Sequence, residues 1–167
     1  MLVLQLTAAQ ERALRRLVGI LEAAGACYQF TGGFAGNLHG SRWPLHDLDI
    51  DVARADLPRL AELLRPYTTR PLGLYVDDEF ELQLWRGEID GVPIDVSQVE
   101  EGYARIGGRR IPLGTTVANR KQSVVLDLKV WVQPLAELIA YKELLGRALD
   151  LADLRALQAR NTATMNG

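Results

Sequence analysis

The feature that most constrains the fold is the segment 47–52, in which aspartates alternate with apolar residues. A period of two is typical of a β-strand, and it places Asp47, Asp49 and Asp51 on one face and the apolar side chains on the other. Two carboxylates about 4 Å apart repel each other by roughly 4 kcal/mol at an effective dielectric constant of about 20. Such a face favours a bound cation, and hard carboxylate oxygens suit Mg²⁺.

Length and composition indicate one ordinary globular domain over residues 1–167. The chain is 48% apolar and 24% charged, so it can bury a core, and its net charge of −2 is unlike the basic balance of most nucleic-acid binders. The single cysteine, Cys27, excludes an internal disulfide and fits a reducing compartment. The sequence contains neither a run of about 18 apolar residues nor a basic leader. We therefore expect a cytoplasmic protein without membrane contact.

The segments before the acidic run predict a helix, a strand and a short helix. Thr7 and Gln10 have the spacing of a capping box for a first helix. Residues 27–31 form an apolar strand that ends at the pair Gly32-Gly33, and residues 34–39 form one or two helical turns. Glycines at a helix start let a phosphate approach the backbone N–H groups. This pair is therefore a candidate phosphate cradle, although such pairs also end strands in many proteins.

The rest of the chain predicts further strands and then helices. Asp56 is expected to cap a second helix. The remaining elements are strands over 80–85, 88–96 and 124–132, a tight turn at 90–91, a hairpin around 107–108, and helices that begin at 134 and span 150–160. The fold class predicted from this order is α+β, with a mixed β-sheet flanked by helices.

The carboxylates have the spacing of a site for divalent cations. Two carboxylates one residue apart can bridge two cations about 3.5–4 Å from each other. Both Asp47/Asp49 and Asp49/Asp51 satisfy this spacing. Asp95 is the best third carboxylate, because an unpaired charge in its apolar strand would be expensive. The turn 77–79 is also acidic, and we interpret it as a solvated surface.

This combination resembles the nucleotidyltransferase superfamily, which has the polymerase-β-like fold. The family pattern is an apolar strand, a Gly-Gly or Gly-Ser pair, a short helix, Asp-x-Asp on the next strand and a later single Asp. The segment GGFAGNLHGSRWPLHDLDI looks similar to small stand-alone members such as aminoglycoside and lincosamide nucleotidyltransferases and nucleotidyltransferase toxins. The resemblance covers residues 28–96 and is weaker in PLAELIAYKELLGRALDLADLRAL. It implies a core over about 26–100, with C-terminal strands and helices over 101–163.

The resemblance also implies an activity, which is Mg²⁺-dependent (or Mn²⁺-dependent) transfer of a nucleoside monophosphate from an NTP to an acceptor, releasing pyrophosphate. The acceptor could be a small molecule, an RNA or a protein. In the family the acidic pair opens its strand, which favours Asp47/Asp49 and leaves Asp51 to an ion pair with an arginine. The implied catalytic and metal-binding residues are Asp47, Asp49 and Asp95, and the implied nucleotide-binding residues are Gly32, Gly33, Arg42 and Lys142.

Other interpretations of these residues remain open. Arg42 could be an ordinary surface arginine, and Lys142 could pair with Glu143 in water. Asp150 and Asp153 are expected to cap the last helix or to pair with nearby arginines. The whole domain could be a nucleotide-binding module without turnover, or an unrelated α+β protein whose acidic strand is a solvated face or a Ca²⁺ site.

Overall fold

The structure, a computed structural model, describes residues 4–166, which form five α-helices and one sheet of nine strands. The helices are α1 (Ala8–Ala23), α2 (Gly32–Leu38), α3 (Leu57–Leu63), α4 (Leu135–Leu144) and α5 (Ala148–Met165). The strands are β1 (Tyr28–Thr31), β2 (Leu48–Val52), β3 (Thr68–Val76), β4 (Phe80–Ile89), β5 (Val92–Gln98), β6 (Tyr103–Ile106), β7 (Arg109–Pro112), β8 (Lys121–Val125) and β9 (Leu128–Val132). No helix within 4–166 is both long and apolar enough to cross a membrane.

The sheet is mixed, as predicted, and the acidic strand lies near its centre. The strand order is β7-β6-β4-β5-β2-β1-β9-β8, and β3 pairs with β4 outside this path. β2 runs parallel to β5 and antiparallel to β1, whereas β1 runs parallel to β9. The predicted fold class, α+β with helices against a mixed sheet, is therefore confirmed.

The core lies on the apolar face of the central strands. Phe30 of β1 and Ile50 of β2 are buried there with Leu14, Leu17 and Leu21 of α1. Burying a side chain of this size contributes about 1.5–3 kcal/mol relative to leaving it exposed. Because side chains alternate along a strand, burial of Ile50 and its apolar neighbours turns the aspartates of β2 to the opposite face.

The first helix begins with the predicted capping box. The Thr7 Oγ1 accepts a hydrogen bond from the Gln10 backbone N–H at 3.1 Å, and the Gln10 Oε1 accepts one from the Thr7 N–H at 2.9 Å. The Gln10 side chain also donates to the Leu45 carbonyl at 2.8 Å. The same glutamine therefore fixes the loop that leads into β2.

Asp56 occupies the predicted N-cap position of α3, but its side chain does not cap the helix. The Asp56 carboxylate accepts a hydrogen bond from the backbone N–H of Cys27 at 2.7 Å, and it makes no bond to the helix that follows. Asp56 has helical dihedral angles because it ends a short 3-10 turn, Arg54–Asp56. The carboxylate therefore ties the start of β1 to the segment after β2.

Several strands differ from the sequence prediction. The predicted strand 80–85 continues to Ile89 as β4, and the predicted strand 88–96 begins only at Val92, after the turn, as β5. The single strand predicted over 124–132 is the hairpin of β8 and β9, whose turn residues Leu126 and Asp127 have φ of 50° and 64°. The sequence does not predict β3, because Pro71 and Gly73 interrupt its pattern. Its pairing with β4 also shifts register between Thr68 and Arg70 and again between Arg70 and Gly73. Helix α5 also begins earlier and ends later than the predicted 150–160.

Candidate active site

A cleft of about 360 Å³ lies where the central strands meet helices α2 and α4. Gly32 at the start of α2 forms one part of its wall, and Tyr141 and Lys142 of α4 form another. The floor carries Asp49 of β2 and Asp95 of β5. Gly32 of the predicted glycine pair and the acidic run thus meet in one cavity.

Strand register places the acidic side chains in a row. Asp49 pairs with Asp95 in the parallel β2–β5 ladder, and Asp95 pairs with Arg86 in the antiparallel β4–β5 ladder. Paired residues project from the same face of a sheet, so these three side chains are neighbours across three strands. Asp47, just before β2, and Asp51 of β2 line the same cleft. We refer to Asp47, Asp49 and Asp95 together as the row.

Burial and like charge perturb this cluster. Burial is the main cause that raises the pKa of Asp49 to about 8, and the charges of Asp47 and Asp95 add to it, whereas Lys142 opposes it. Burial likewise raises the pKa of Asp51 to about 7, against the effect of a hydrogen bond from Gln29. Two carboxyls of the cleft therefore hold protons near neutral pH unless a cation compensates their charge.

The raised pKa of Asp49 predicts a pH-dependent stability. Between its ordinary pKa of 3.8 and about 8, the folded state holds a proton that the unfolded state releases, so the free energy of unfolding falls as pH rises. We expect the melting temperature without divalent cations to drop from pH 5 to pH 9, and to drop less in Asp49→Asn. Asp51 acts in the same direction, which is why the variant keeps part of the slope. Parallel curves for the two proteins would contradict this.

The backbone of Gly32 leaves room for the Asp49 carboxylate. Gly32 has a φ of +60°, and a Cβ built there would lie 2.3 Å from Asp49 Oδ2. A Cβ built at Gly33 has no atom within 4 Å, and Gly33 does not line the cleft. Of the two glycines, Gly32 is the one that the site requires.

The cations around the cleft are paired, in part differently from the prediction. Lys142 Nζ lies 2.9 Å from Asp150 Oδ2, so these two residues pair with each other. Contrary to the sequence prediction, Lys142 therefore does not pair with Glu143, and no arginine of residues 4–166 pairs with Asp150. Glu143 pairs with Arg155 instead. Arg42 lies outside the cleft, in an exposed loop that borders a separate surface hollow. The structure therefore brings Lys142, but not Arg42, to the aspartates.

The expected ion pair of Asp51 is wrong. Gln29, its cross-strand neighbour on β1, donates a long hydrogen bond of 3.4 Å, and within residues 4–166 Asp51 forms no ion pair with an arginine. Asp153 also differs from expectation, because it accepts a hydrogen bond from the Trp43 indole at 2.8 Å.

One wall of the cleft, formed by the end of β3 and the turn before β4, has no counterpart in the sequence prediction. The Tyr75 hydroxyl of β3 donates a hydrogen bond of 2.7 Å to the Asp77 carboxylate. The same carboxylate accepts hydrogen bonds from the backbone N–H groups of Glu79 and Phe80. The acidic turn 77–79 is therefore organised, and Asp77 and Glu79 face the cleft. Glu79 also pairs with Arg147 at 2.8 Å.

The carboxylates of the cleft are chemically suited to a divalent cation, but their side chains are not arranged as a complete metal site. As the side chains stand, no group of three or more His, Cys, Asp or Glu in 4–166 is arranged to hold a metal. Arg86 engages both carboxylate oxygens of Asp95. Carboxylate oxygens are nevertheless the ligands that Mg²⁺ and Mn²⁺ take, and Gly32 has no Cβ to occupy the space beside Asp49 Oδ2. The residues therefore fit such a cation once Asp95 leaves Arg86.

Comparison with known proteins identifies the fold. No protein-family model and no curated protein matches the chain. Among solved structures, a candidate nucleotidyltransferase from Thermotoga maritima superposes with a TM-score of 0.71 at 18% identity, over 93% of this chain and 96% of that chain. The solution structure of the antibiotic-resistance factor ANT(2'')-Ia superposes with a TM-score of 0.55 at 11% identity, over 96% and 95% of the two chains. With the site geometry above, these likenesses show that the chain has the nucleotidyltransferase fold.

Proposed function

We propose that this protein transfers a nucleoside monophosphate from an NTP to an acceptor, in a reaction that depends on Mg²⁺ or Mn²⁺ and releases pyrophosphate. The observation that carries the proposal is the row of Asp49 and Asp95 beside Gly32 and Lys142 in one cleft. The fold shared with a candidate nucleotidyltransferase supports it. Transfer of this kind depends mostly on positioning and on charge neutralisation, and the cleft supplies groups for both.

Each residue of the row has a distinct role in this proposal. Asp47, Asp49 and Asp95 would hold the cation, which supplies positive charge to the triphosphate and to the attacking oxygen when it is bound. In this proposal Asp95 would also accept the proton of the acceptor hydroxyl. The acceptor oxygen forms a bond to the α-phosphorus, the bond from that phosphorus to the β-phosphate oxygen breaks, and pyrophosphate leaves with the electron pair.

Lys142 and Gly32 would bind the phosphates. The Lys142 side chain is 11% exposed, and its charge is felt at Asp49, so it lies deep in the cleft near the proposed reaction centre. Its ion pair with Asp150 holds the ammonium in place from the other side. Gly32 offers a backbone without a side chain, which lets a phosphate oxygen approach closely.

Nucleotide and metal together should stabilise the protein more than either alone. We expect Mg²⁺ with an NTP to raise the melting temperature by several degrees, because at a ligand concentration of about 100 Kd binding adds roughly 2.7 kcal/mol to the free energy of unfolding. Thermal shift with each of the four NTPs, with EDTA as the control, measures this. Pyrophosphate release is then assayed with small-molecule, RNA and protein acceptors. A protein that Mg²⁺ and NTP do not stabilise would contradict the proposal.

A second function, nucleotide binding without turnover, is favoured by one observation. Arg86 engages the carboxylate of Asp95, the third acid of the row. If that pair persists in the complex, Asp95 is not free to hold a cation or to accept a proton. The two functions separate in the same assays, because a binding module shows the thermal shift and releases no pyrophosphate with any acceptor.

A further inference from the structure

Arg86 forms an ion pair with Asp95, one of the acidic side chains of the cleft. Its Nε lies 3.1 Å from Oδ1 and 3.2 Å from Oδ2 of Asp95, so one N–H spans both carboxylate oxygens. The two residues are cross-strand partners on β4 and β5, which fixes their backbones side by side. In the free protein Arg86 therefore occupies the atoms through which Asp95 would act.

The guanidinium rests on an aromatic platform at the edge of the cleft. The Arg86 Cζ lies 4.9 Å from the centre of the Tyr75 ring, and Arg70 Cζ lies 5.3 Å from the same centre. The Arg86 side chain is 41% exposed and already lines the cleft, so it can change its partner without leaving a buried position. Arg70 is instead bound to the backbone carbonyls of Leu84 and Leu74, and it does not line the cleft.

The other two cations that line the cleft do not block the row. Lys142 pairs with Asp150, and Arg147 pairs with Glu79, and neither carboxylate belongs to the row. Binding of a divalent cation to Asp95 adds two positive charges where Arg86 already supplies one. The cation and the guanidinium therefore compete for Asp95, whereas the phosphates that arrive with the cation offer Arg86 new acceptors.

We propose that Arg86 exchanges partners when the substrate binds: it neutralises Asp95 in the free protein and donates to the nucleotide phosphates in the complex. This inference rests on the proposed function. It assigns Arg86 to the nucleotide site as a phosphate-binding residue. It also accounts for the arrangement in which the aspartates of residues 4–166 do not form a complete metal site without the nucleotide.

The exchange predicts opposite changes in two affinities of one variant. In Arg86→Gln, Mn²⁺ should bind without nucleotide about five-fold more tightly, because an exposed ion pair that competes for Asp95 is worth up to about 1 kcal/mol. The same variant should bind Mg²⁺ with a non-hydrolysable ATP analogue about ten-fold more weakly, because a charged hydrogen bond to phosphate is lost. Electron paramagnetic resonance of free Mn²⁺ measures the first affinity, and calorimetry measures the second.

Two further variants make the result specific. Arg70→Gln removes the other arginine on Tyr75 and should leave both affinities at the wild-type values. Arg86→Lys keeps the charge and should move both affinities back toward the wild type, with circular dichroism as the check on folding. If Arg86→Gln binds Mn²⁺ as the wild type does, or more weakly, the exchange is wrong. It is also wrong if the analogue binds with unchanged affinity.

Failure of the proposed function would look different. If the cleft is not a nucleotide site, the wild type binds neither Mn²⁺ nor the analogue, or Asp49→Asn binds both as well as the wild type does. If the cleft binds nucleotide without turnover, the wild type binds both and releases no pyrophosphate. Failure of the exchange alone leaves the loss of binding in Asp49→Asn and the release of pyrophosphate by the wild type intact, while Arg86→Gln lacks one or both of the expected affinity changes. Four variants, two binding assays and the pyrophosphate assay thus separate the two claims.

Discussion

Replacement of Asp49 by asparagine is expected to lower the rate of nucleotidyl transfer by about a thousandfold or more while the fold persists. Asp49 lies at the centre of the row, where the charges of Asp47 and Asp95 both raise its pKa. Asparagine has the same shape but lacks the charge that a divalent cation requires. Metal stabilisation of a transition state is worth several kcal/mol, and about 4 kcal/mol corresponds to a thousandfold in rate. Pyrophosphate release under saturating Mg²⁺ and NTP measures the loss.

The control for this variant is an aspartate outside the cleft. Asp78 is exposed and belongs to the acidic turn whose neighbours Asp77 and Glu79 face the cavity, but it does not itself line the cleft. Asp78→Asn changes the net charge by the same amount and should retain the full rate. Asp49→Asn should also melt at a higher temperature than the wild type above about pH 8, where Asp49 of the wild type carries a buried charge that asparagine lacks. Full activity in Asp49→Asn would refute the assignment of the cleft as the active site.

The sequence predicts the centre of the fold because its signals there are local and strong. The alternation over 47–52 specifies both the strand and the face on which its aspartates lie. The turn at Asp90-Gly91 has φ of 50° and 79°, which is the two-residue hairpin that this dipeptide favours. Once that turn is known, the antiparallel register follows, and it pairs Arg86 with Asp95. Arg86 could therefore have been found from sequence by continuing the strand through residue 89.

Other parts of the cleft depend on contacts that no local pattern encodes. β3 carries Pro71 and Gly73 and pairs only with β4, so tertiary pairing rather than propensity makes it a strand. The turn at Leu126-Asp127 lacks glycine and asparagine, which hid the β8–β9 hairpin. The partner of Asp51 is a glutamine that only the β1–β2 register brings opposite it. Side-chain pairs across strands thus require the register to be known first.

Gly32→Ala is expected to have the second largest effect, on both stability and rate. A φ of +60° disfavours any residue with a Cβ by about 1–2 kcal/mol, and the new Cβ would lie 2.3 Å from Asp49 Oδ2. Asp49 or the start of α2 must then move. A displacement of about 1 Å at a catalytic group can lower the rate about a hundredfold. We expect a loss of about 2 kcal/mol in the free energy of unfolding, measured by urea denaturation, together with a rate decrease of that size.

Gly33→Ala is the matched control, because the same atom added one residue later meets nothing within 4 Å. In a helix this change is worth about 0.5–1 kcal/mol of stabilisation, so Gly33→Ala should be neutral or slightly stabilising. The double variant Gly32→Ala with Asp49→Ala separates the two causes of the Gly32 effect. If the clash with the carboxylate matters, the second change recovers part of the lost stability, and only the penalty of the backbone conformation remains. Strict additivity of the two changes would show that Gly32 serves the turn alone and that the carboxylate does not depend on it.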